Sequence, residues 1–376
     1  MTKKDTLKSK SATQKEKGLY IHIPFCKTRC VYCGFYSTTY EALKDEYVAA
    51  LLREMERRCT GTFSTLYLGG GTPSQLSIDQ LASIVEGIDM MPDAERTIEC
   101  NPDDITRQYA EGLRRLGFNR VSLGVQSFDK CQLEFLHRRH DAEKAVRAID
   151  LLRDAGFSNI SIDLMYGLPR QSVEEWGLDV DKALSLDVQH ISCYCLTYEE
   201  DTPLYYMRER GEVEEVDDEM ARQMYYLLID KLTAAGFEHY EISNFAKPGC
   251  RSRHNSGYWN GTPYIGIGAG AHSYDGKSRS WNVCDVKRYI ETPTAGVLCS
   301  ETLNADDIYN ELVMTRLRTS DGLLLDDIPS QYVPHFNLNA RKFVAEGLIT
   351  IQGGRCRLSR KALFVSDAII SSLFKA

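Results

Sequence analysis

The feature that most constrains this chain is an alternation. Short β-rich runs begin near Leu19 (LYIHIPF), Thr65 (TLYLGGG), Arg96 (RTIECNP), Arg120 (RVSLGVQS), Asn159 (NISIDLMYGLP), His190 (HISCYCLTY) and His239 (HYEISNF). Helical patterns lie between most of them. In 143–153, Ala145, Ile149 and Leu152 recur at helical spacing, and in 217–235 Met220, Met224, Leu227 and Leu228 fall together. The fourth interval holds two helical segments. Three helices share an ending before a β-rich run: LRRLGF, LLRDAGF and LTAAGF, where glycine can take the left-handed conformation that stops a helix. Such alternation predicts an α/β fold with a parallel sheet and right-handed crossovers. Polar residues collect where the strands end, at 69–72, Glu99, Gln126, Asp163, Thr197 and Asn244. Ligands sit at that rim in barrels and in open doubly wound sheets alike, and periodicity alone does not choose between them.

The pattern changes after Pro293. Residues 308–317 and 338–346 read as helices, and GLITIQGGRCRLS reads as a hairpin turning at Gly353 and Gly354, with a last helix behind it. Three regions are therefore expected: a disordered tail at 1–17, a main domain at 18–292, and a winged-helix-like domain at 293–376. From Ile308 onward nine Lys or Arg face six Asp or Glu, with no dense basic helix, and the whole chain has a formal charge of −8. Nucleic acid is not the expected partner, so the second domain reads as a lid or docking unit rather than a DNA binder.

Cysteines carry the chemistry. The tail holds six Lys and no apolar run, so it does not read as a secretory leader, and twelve Cys then point to a reducing cytoplasm with free or metal-bound thiols. Cys26, Cys30 and Cys33 form C-x3-C-x2-C directly after the first strand. Three thiolates that close can wrap one metal centre if the backbone loops, which Pro24 and Gly34 permit. Iron–sulfur clusters take thiolates, usually four, so three leave one iron open. Zinc completed by a distant residue is the alternative, although the spacing is unlike paired zinc knuckles. The other nine cysteines lack metal spacing and read as ordinary thiols.

The triplet after a first strand, followed by Gly69-Gly70-Gly71-Thr72-Pro73, resembles the radical S-adenosylmethionine (SAM) superfamily. The resemblance implies a partial (βα)6 barrel and a 4Fe-4S cluster whose open iron is chelated by SAM, with Tyr32 lying against adenine. LYIHIPFC, ECNP at 99–102, LGVQSF, HRRH at 137–140 and IDLMYGLP at 162–169 are similar to the coproporphyrinogen dehydrogenase branch, from about Gly18 to the C terminus. Carried over by position, Tyr20, Gly70, Gly71, Thr72, Glu99, Gln126, Arg138 and Asp163 are expected to contact SAM. Glu99 and Asp163 can accept ribose hydroxyls, and Arg138 can pair with a carboxylate. The sequence departs from the oxidase pattern at Phe35, where a further cysteine is expected, and the N-terminal arm before Cys26 is shorter.

RHNSGYWNG supplies the last motif, His254, Asn255, Tyr258 and Trp259, which matches the H-N-x-x-Y-W string of heme chaperones of the HemW type. His254 is then expected to ligate heme iron while the aromatic rings pack on porphyrin. His272 is a second candidate that no motif selects. The resemblance implies delivery of heme to apo-hemoproteins such as respiratory enzymes. It leaves room for a flavodoxin or ferredoxin donor, for peripheral membrane association through the acceptor, and for a monomer or a heme-linked dimer. The alternative is an oxygen-independent coproporphyrinogen III dehydrogenase, in which reductive SAM cleavage gives a radical that attacks propionate side chains.

Overall fold

The computed structural model describes residues 16–292 and 297–375. The expected tail therefore lies outside the described residues, apart from its last two positions. Six strands follow the alternation: β1 (Gly18–Ile23), β2 (Phe63–Gly70), β3 (Met90–Cys100), β4 (Arg120–Gln126), β5 (Ile160–Tyr166) and β6 (His190–Cys195). They pair in sequence order and run parallel. β2 is buried over almost its whole length, as expected of a strand covered on both faces. The three Gly-Phe stops are built alike. Gly117, Gly156 and Gly236 have φ of +85°, +91° and +86°. The following Phe N–H reaches back to Leu113, Leu152 and Leu232 at 3.2, 3.0 and 3.0 Å. These bonds cover the last helical carbonyls, and each Phe is buried against the sheet.

The seventh run departs from the alternation. β7 (Glu238–Glu241) and β8 (Asn244–Ala246) form a tight antiparallel hairpin, and β8 pairs antiparallel with β6. Only Ile242 and Ser243 separate the two strands, too short for the crossover that a parallel neighbour needs. On the other side β9 (Tyr264–Ile267) pairs parallel with β1. Three antiparallel strands follow, β10 (His272–Tyr274), β11 (Ser278–Asn282) and β12 (Val297–Thr302). The twelve-stranded sheet thus has β12 and β7 at its two edges and does not close. β12 lies beyond the boundary expected at 293, so the large sheet runs past that point.

A second core gathers Tyr309, Leu317, Phe336, Phe343 and Ile370. It packs the helices Ala305–Leu317 and Val333–Ala345 against β13 (Leu323–Leu324), β14 (Ile349–Gln352) and β15 (Arg355–Leu358). β14 and β15 turn at Gly353 and Gly354, whose φ of +58° and +72° suit a two-residue hairpin. Among the described residues no helix is long and apolar enough to cross a membrane.

Candidate functional site

The loop after β1 is pinned at its base. Thr38 N–H donates to Pro24 O at 2.7 Å and Cys26 N–H to Thr38 O at 2.9 Å. Further on, Leu204 N–H donates to Val31 O at 3.0 Å, and Val31 packs with Leu136, Met165 and Leu196. Cys26, Cys30 and Cys33 thereby line one cavity of about 820 Å³. Cys26 Sγ lies 3.4 Å from Thr72 Oγ1, and Arg138 Nη1 donates to Cys30 Sγ at 3.3 Å. Burial pushes the Cys26 and Cys33 thiols up, and bound iron would offset that by taking them as thiolates. Among the described residues no three His, Cys, Asp or Glu side chains close around a single-ion centre.

Opposite the cysteines, the strand ends present their polar side chains. Glu99 Oε1 accepts from Tyr67 Oη at 2.7 Å and Oε2 from Gly70 N–H at 3.1 Å. Burial raises its carboxyl to about 7; the Tyr67 bond opposes that rise and Asp163 adds to it. Asp163, likewise raised by burial, accepts from Ser122 Oγ at 3.2 Å. Gln126 has φ of +70° at an irregularity in the β4–β5 pairing, a costly conformation for a residue with a side chain. Gly70, Gly71, Thr72, Glu99, Gln126, Arg138, Asp163 and Tyr32 all line the cavity.

Three details add to the sequence-derived picture. Tyr20 does not line the cavity; its hydroxyl lies 3.0 Å from His22 Nδ1 and its ring stacks on Tyr67. Arg138 is also tied into the wall, since Nη2 donates to Asn101 Oδ1 at 2.7 Å and to Gly124 O. The glycines serve the fold as much as any ligand. A Cβ on Gly70 would come within 2.6 Å of the His22 ring, and one on Gly71 within 2.7 Å of the Pro24 carbonyl carbon. They let the end of β2 press against the end of β1.

The H-N-x-x-Y-W residues lie at the other end of the strands, on the helix Arg253–Asn260. Glu95 accepts from the Arg253 and His254 N–H groups at 3.0 Å each, anchoring the helix start to β3. His254 is 4% exposed. Its Nδ1 lies 2.8 Å from Thr65 Oγ1 and its Nε2 2.9 Å from Tyr258 Oη, so both ring nitrogens are occupied. The ring stacks on Tyr67, and burial lowers its pKa to about 3, keeping it neutral. The pocket beside it measures about 30 Å³, far too small for a porphyrin. Ser252 caps this helix, its Oγ accepting from the Asn255 backbone N–H at 3.3 Å. Trp259 lies under Arg318, and its Nε1 is buried with no partner among the described residues. The structure thus places His254 inward, with both ring nitrogens in internal hydrogen bonds.

Sequence reasoning missed several residues that build or support the site. Tyr67, which fixes Glu99, could have been found because Thr65, Tyr67 and Gly69 alternate onto one face of β2. Tyr194, Ser243, Arg318 and Phe364 also line the cavity, the last two from the C-terminal third of the chain. No local pattern announces that contact. Asn244, expected at the rim, is buried within β8 instead.

A radical SAM superfamily model matches residues 20–183, and a HemN C-terminal domain model matches 303–365. The heme chaperone HemW of Mycobacterium tuberculosis is 36% identical over 374 residues, covering 95% of this chain and 94% of that protein. Those of Bacillus subtilis and Escherichia coli are 40% and 39% identical, over 73% and 68% of this chain and 75% and 69% of their own lengths. In three dimensions the chain is similar to the coproporphyrinogen III oxidase HemN of Escherichia coli, a radical SAM enzyme. The TM-score is 0.84 at 24% identity, over 96% of this chain and 91% of the other.

Proposed function

Because the chain belongs to the radical SAM superfamily, in its branch of HemW-type heme chaperones, we propose that it holds a 4Fe-4S cluster, SAM and heme and delivers heme to apo-hemoproteins such as respiratory enzymes. The observation that carries the cofactor half is the shared cavity. Cys26, Cys30 and Cys33 face Gly70, Thr72, Glu99, Gln126 and Asp163 across it. In this reading the cysteines hold three irons, and the fourth is left to the amino and carboxylate groups of SAM. Glu99 and Asp163 accept hydrogen bonds from SAM, Tyr32 lies against adenine, and Arg138 braces the loop from behind Cys30. Heme binding is supported by the likeness to the HemW heme chaperones.

Phe35 weighs against the dehydrogenase reading. Its ring is 73% exposed at the cavity rim, where a hydrocarbon supplies neither thiol chemistry nor a proton. A cytoplasmic location and a flavodoxin-like or ferredoxin-like electron donor complete the proposal. Anaerobic reconstitution, followed by SAM and heme titrations and a coproporphyrinogen assay on one sample, tests it. Bound cluster, SAM and heme without porphyrinogen turnover are expected; catalytic turnover would restore the oxidase reading.

A further inference from the structure

Buried charges in this protein are met by their neighbours, with one exception. Glu54 accepts from Gly268 N–H, Asn282 and Tyr289, and Glu95 from the Arg253 and His254 N–H groups. Asp179 accepts from Ser127 and from Phe128 N–H, and Glu241 from Asn244 and from Ser243 N–H. Arg120 on β4 is 1% exposed, yet its guanidinium makes no hydrogen bond or ion pair among the described residues. A guanidinium keeps its charge, and a buried charge without compensation is costly. Its balance must come from farther away.

The strand register shows from where. Arg120 lies two residues before Ser122 and four before Gly124, which line the cavity, so it shares their face below them. Its cross-strand partner on β3 is Thr97, two residues before Glu99. Ser122 in turn donates to Asp163 at 3.2 Å. The Arg120 backbone thus lies one layer, roughly 7 Å, beneath the wall that carries both carboxylates. Its charge acts on Tyr67, Glu99, Asp163, His190, Tyr240 and His254. Burial keeps the tyrosines and histidines among them neutral, which leaves Glu99 and Asp163 to carry the opposite charge. Burial raises these two carboxyls as well, and Arg120 opposes that rise. Arg138 also acts on Asp163 from the cavity. The other ionisable groups near the pair, Tyr20, Cys100, Cys193, Tyr194 and Tyr258, are kept neutral by burial.

We infer that Arg120 is a positioning residue for the cofactor: from beneath the cavity it holds Glu99 and Asp163 as the carboxylates that accept the ribose hydroxyls of SAM. The inference rests on the SAM reading above and adds a residue that does not itself line the cavity. A carboxylate only accepts, and accepts strongly, whereas protonation turns one of its oxygens into a donor.

The SAM affinity of the anaerobically reconstituted full chain, followed from about pH 6 to about pH 9, tests this role. Losing a nearby cation raises a carboxyl, so binding that needs the carboxylate should set in at higher pH. Arg120→Met is expected to move that rise upward by roughly one pH unit or more, with native circular dichroism and iron content. Arg120→Lys keeps the charge and should leave the rise near its wild-type position. An unmoved rise in a folded Arg120→Met protein overturns the inference, even where affinity falls evenly at every pH. If Arg120→Met does not fold, combining it with Glu99→Gln removes both opposite charges and should recover folded protein at pH 8. No recovery there also overturns the inference. Absence of saturable SAM binding in the wild type is a separate failure, that of the cofactor reading. Thermal unfolding of the single and double variants then decides on Arg120 by the same recovery.

Discussion

The two ends of the parallel strands use similar residue types for opposite purposes. At the C-terminal end Glu99, Asp163 and the three cysteines are half-buried and border a large cavity. At the N-terminal end Glu95 and His254 are buried and, with half-buried Tyr258, bonded to one another. The difference teaches that polar residues in a core are informative through what they leave unfilled. Carboxylates whose pKa burial raises beside a cavity are poised for a ligand, whereas a histidine with both nitrogens bonded is part of the frame. Tyr67 joins the ends, since it stacks on His254 and donates to Glu99.

The largest expected effect falls on the cavity end. Changing Cys26, Cys30 and Cys33 together to Ala should abolish bound iron and its charge-transfer absorption, while circular dichroism stays native, because the core does not depend on the loop. Retention of full iron content would break the contrast at once.

Next comes the floor. His254→Ala removes two hydrogen bonds and a stacked ring, and should cost about 2–4 kcal/mol of folding stability, read by thermal or urea unfolding. A change below half a kcal/mol would mean that the imidazole is not part of the frame.

Glu99→Ala or Asp163→Ala should weaken SAM binding by roughly 1–3 kcal/mol, measured by titration of reconstituted protein. His254→Ala should also weaken SAM, but less, by loosening Tyr67 behind Glu99. Equal losses from both ends would erase the distinction between contact and support.

The smallest effect is in pH. The folded Glu99 carboxyl titrates near 7 because of burial, above its unfolded value of about 4.3. Between those values the native state binds the extra proton, so this group makes the cluster-free protein more stable as pH falls from about 8 to about 5. Glu99→Gln should flatten that part of the stability profile and raise stability at pH 8. An unchanged slope would place Glu99 in a more hydrated setting.

Much of the cavity end was legible in the sequence. Strand–helix alternation fixes where strand ends fall, and residues at those ends converge whatever their separation in the chain, which is how Cys26, Gly70, Glu99 and Asp163 could be grouped. The N-terminal end was less legible. A motif gives residue types in order, but whether a helix turns His254 inward depends on Glu95 and Thr65, more than 150 residues earlier. The hairpin of β7 and β8 shows the same limit, because strand composition does not encode direction. Arg318 and Phe364 reach the cavity only through packing between the two cores, and no periodicity records that.

Electron paramagnetic resonance of the reduced, reconstituted protein, recorded with and without SAM, tests the central claim most directly. If the three cysteines leave one iron open toward Glu99 and Asp163, saturating SAM must change the cluster spectrum, and the change must weaken in Glu99→Ala. A cluster whose spectrum is identical with and without SAM would contradict the account, because the cavity would then hold a metal centre that its facing residues do not serve.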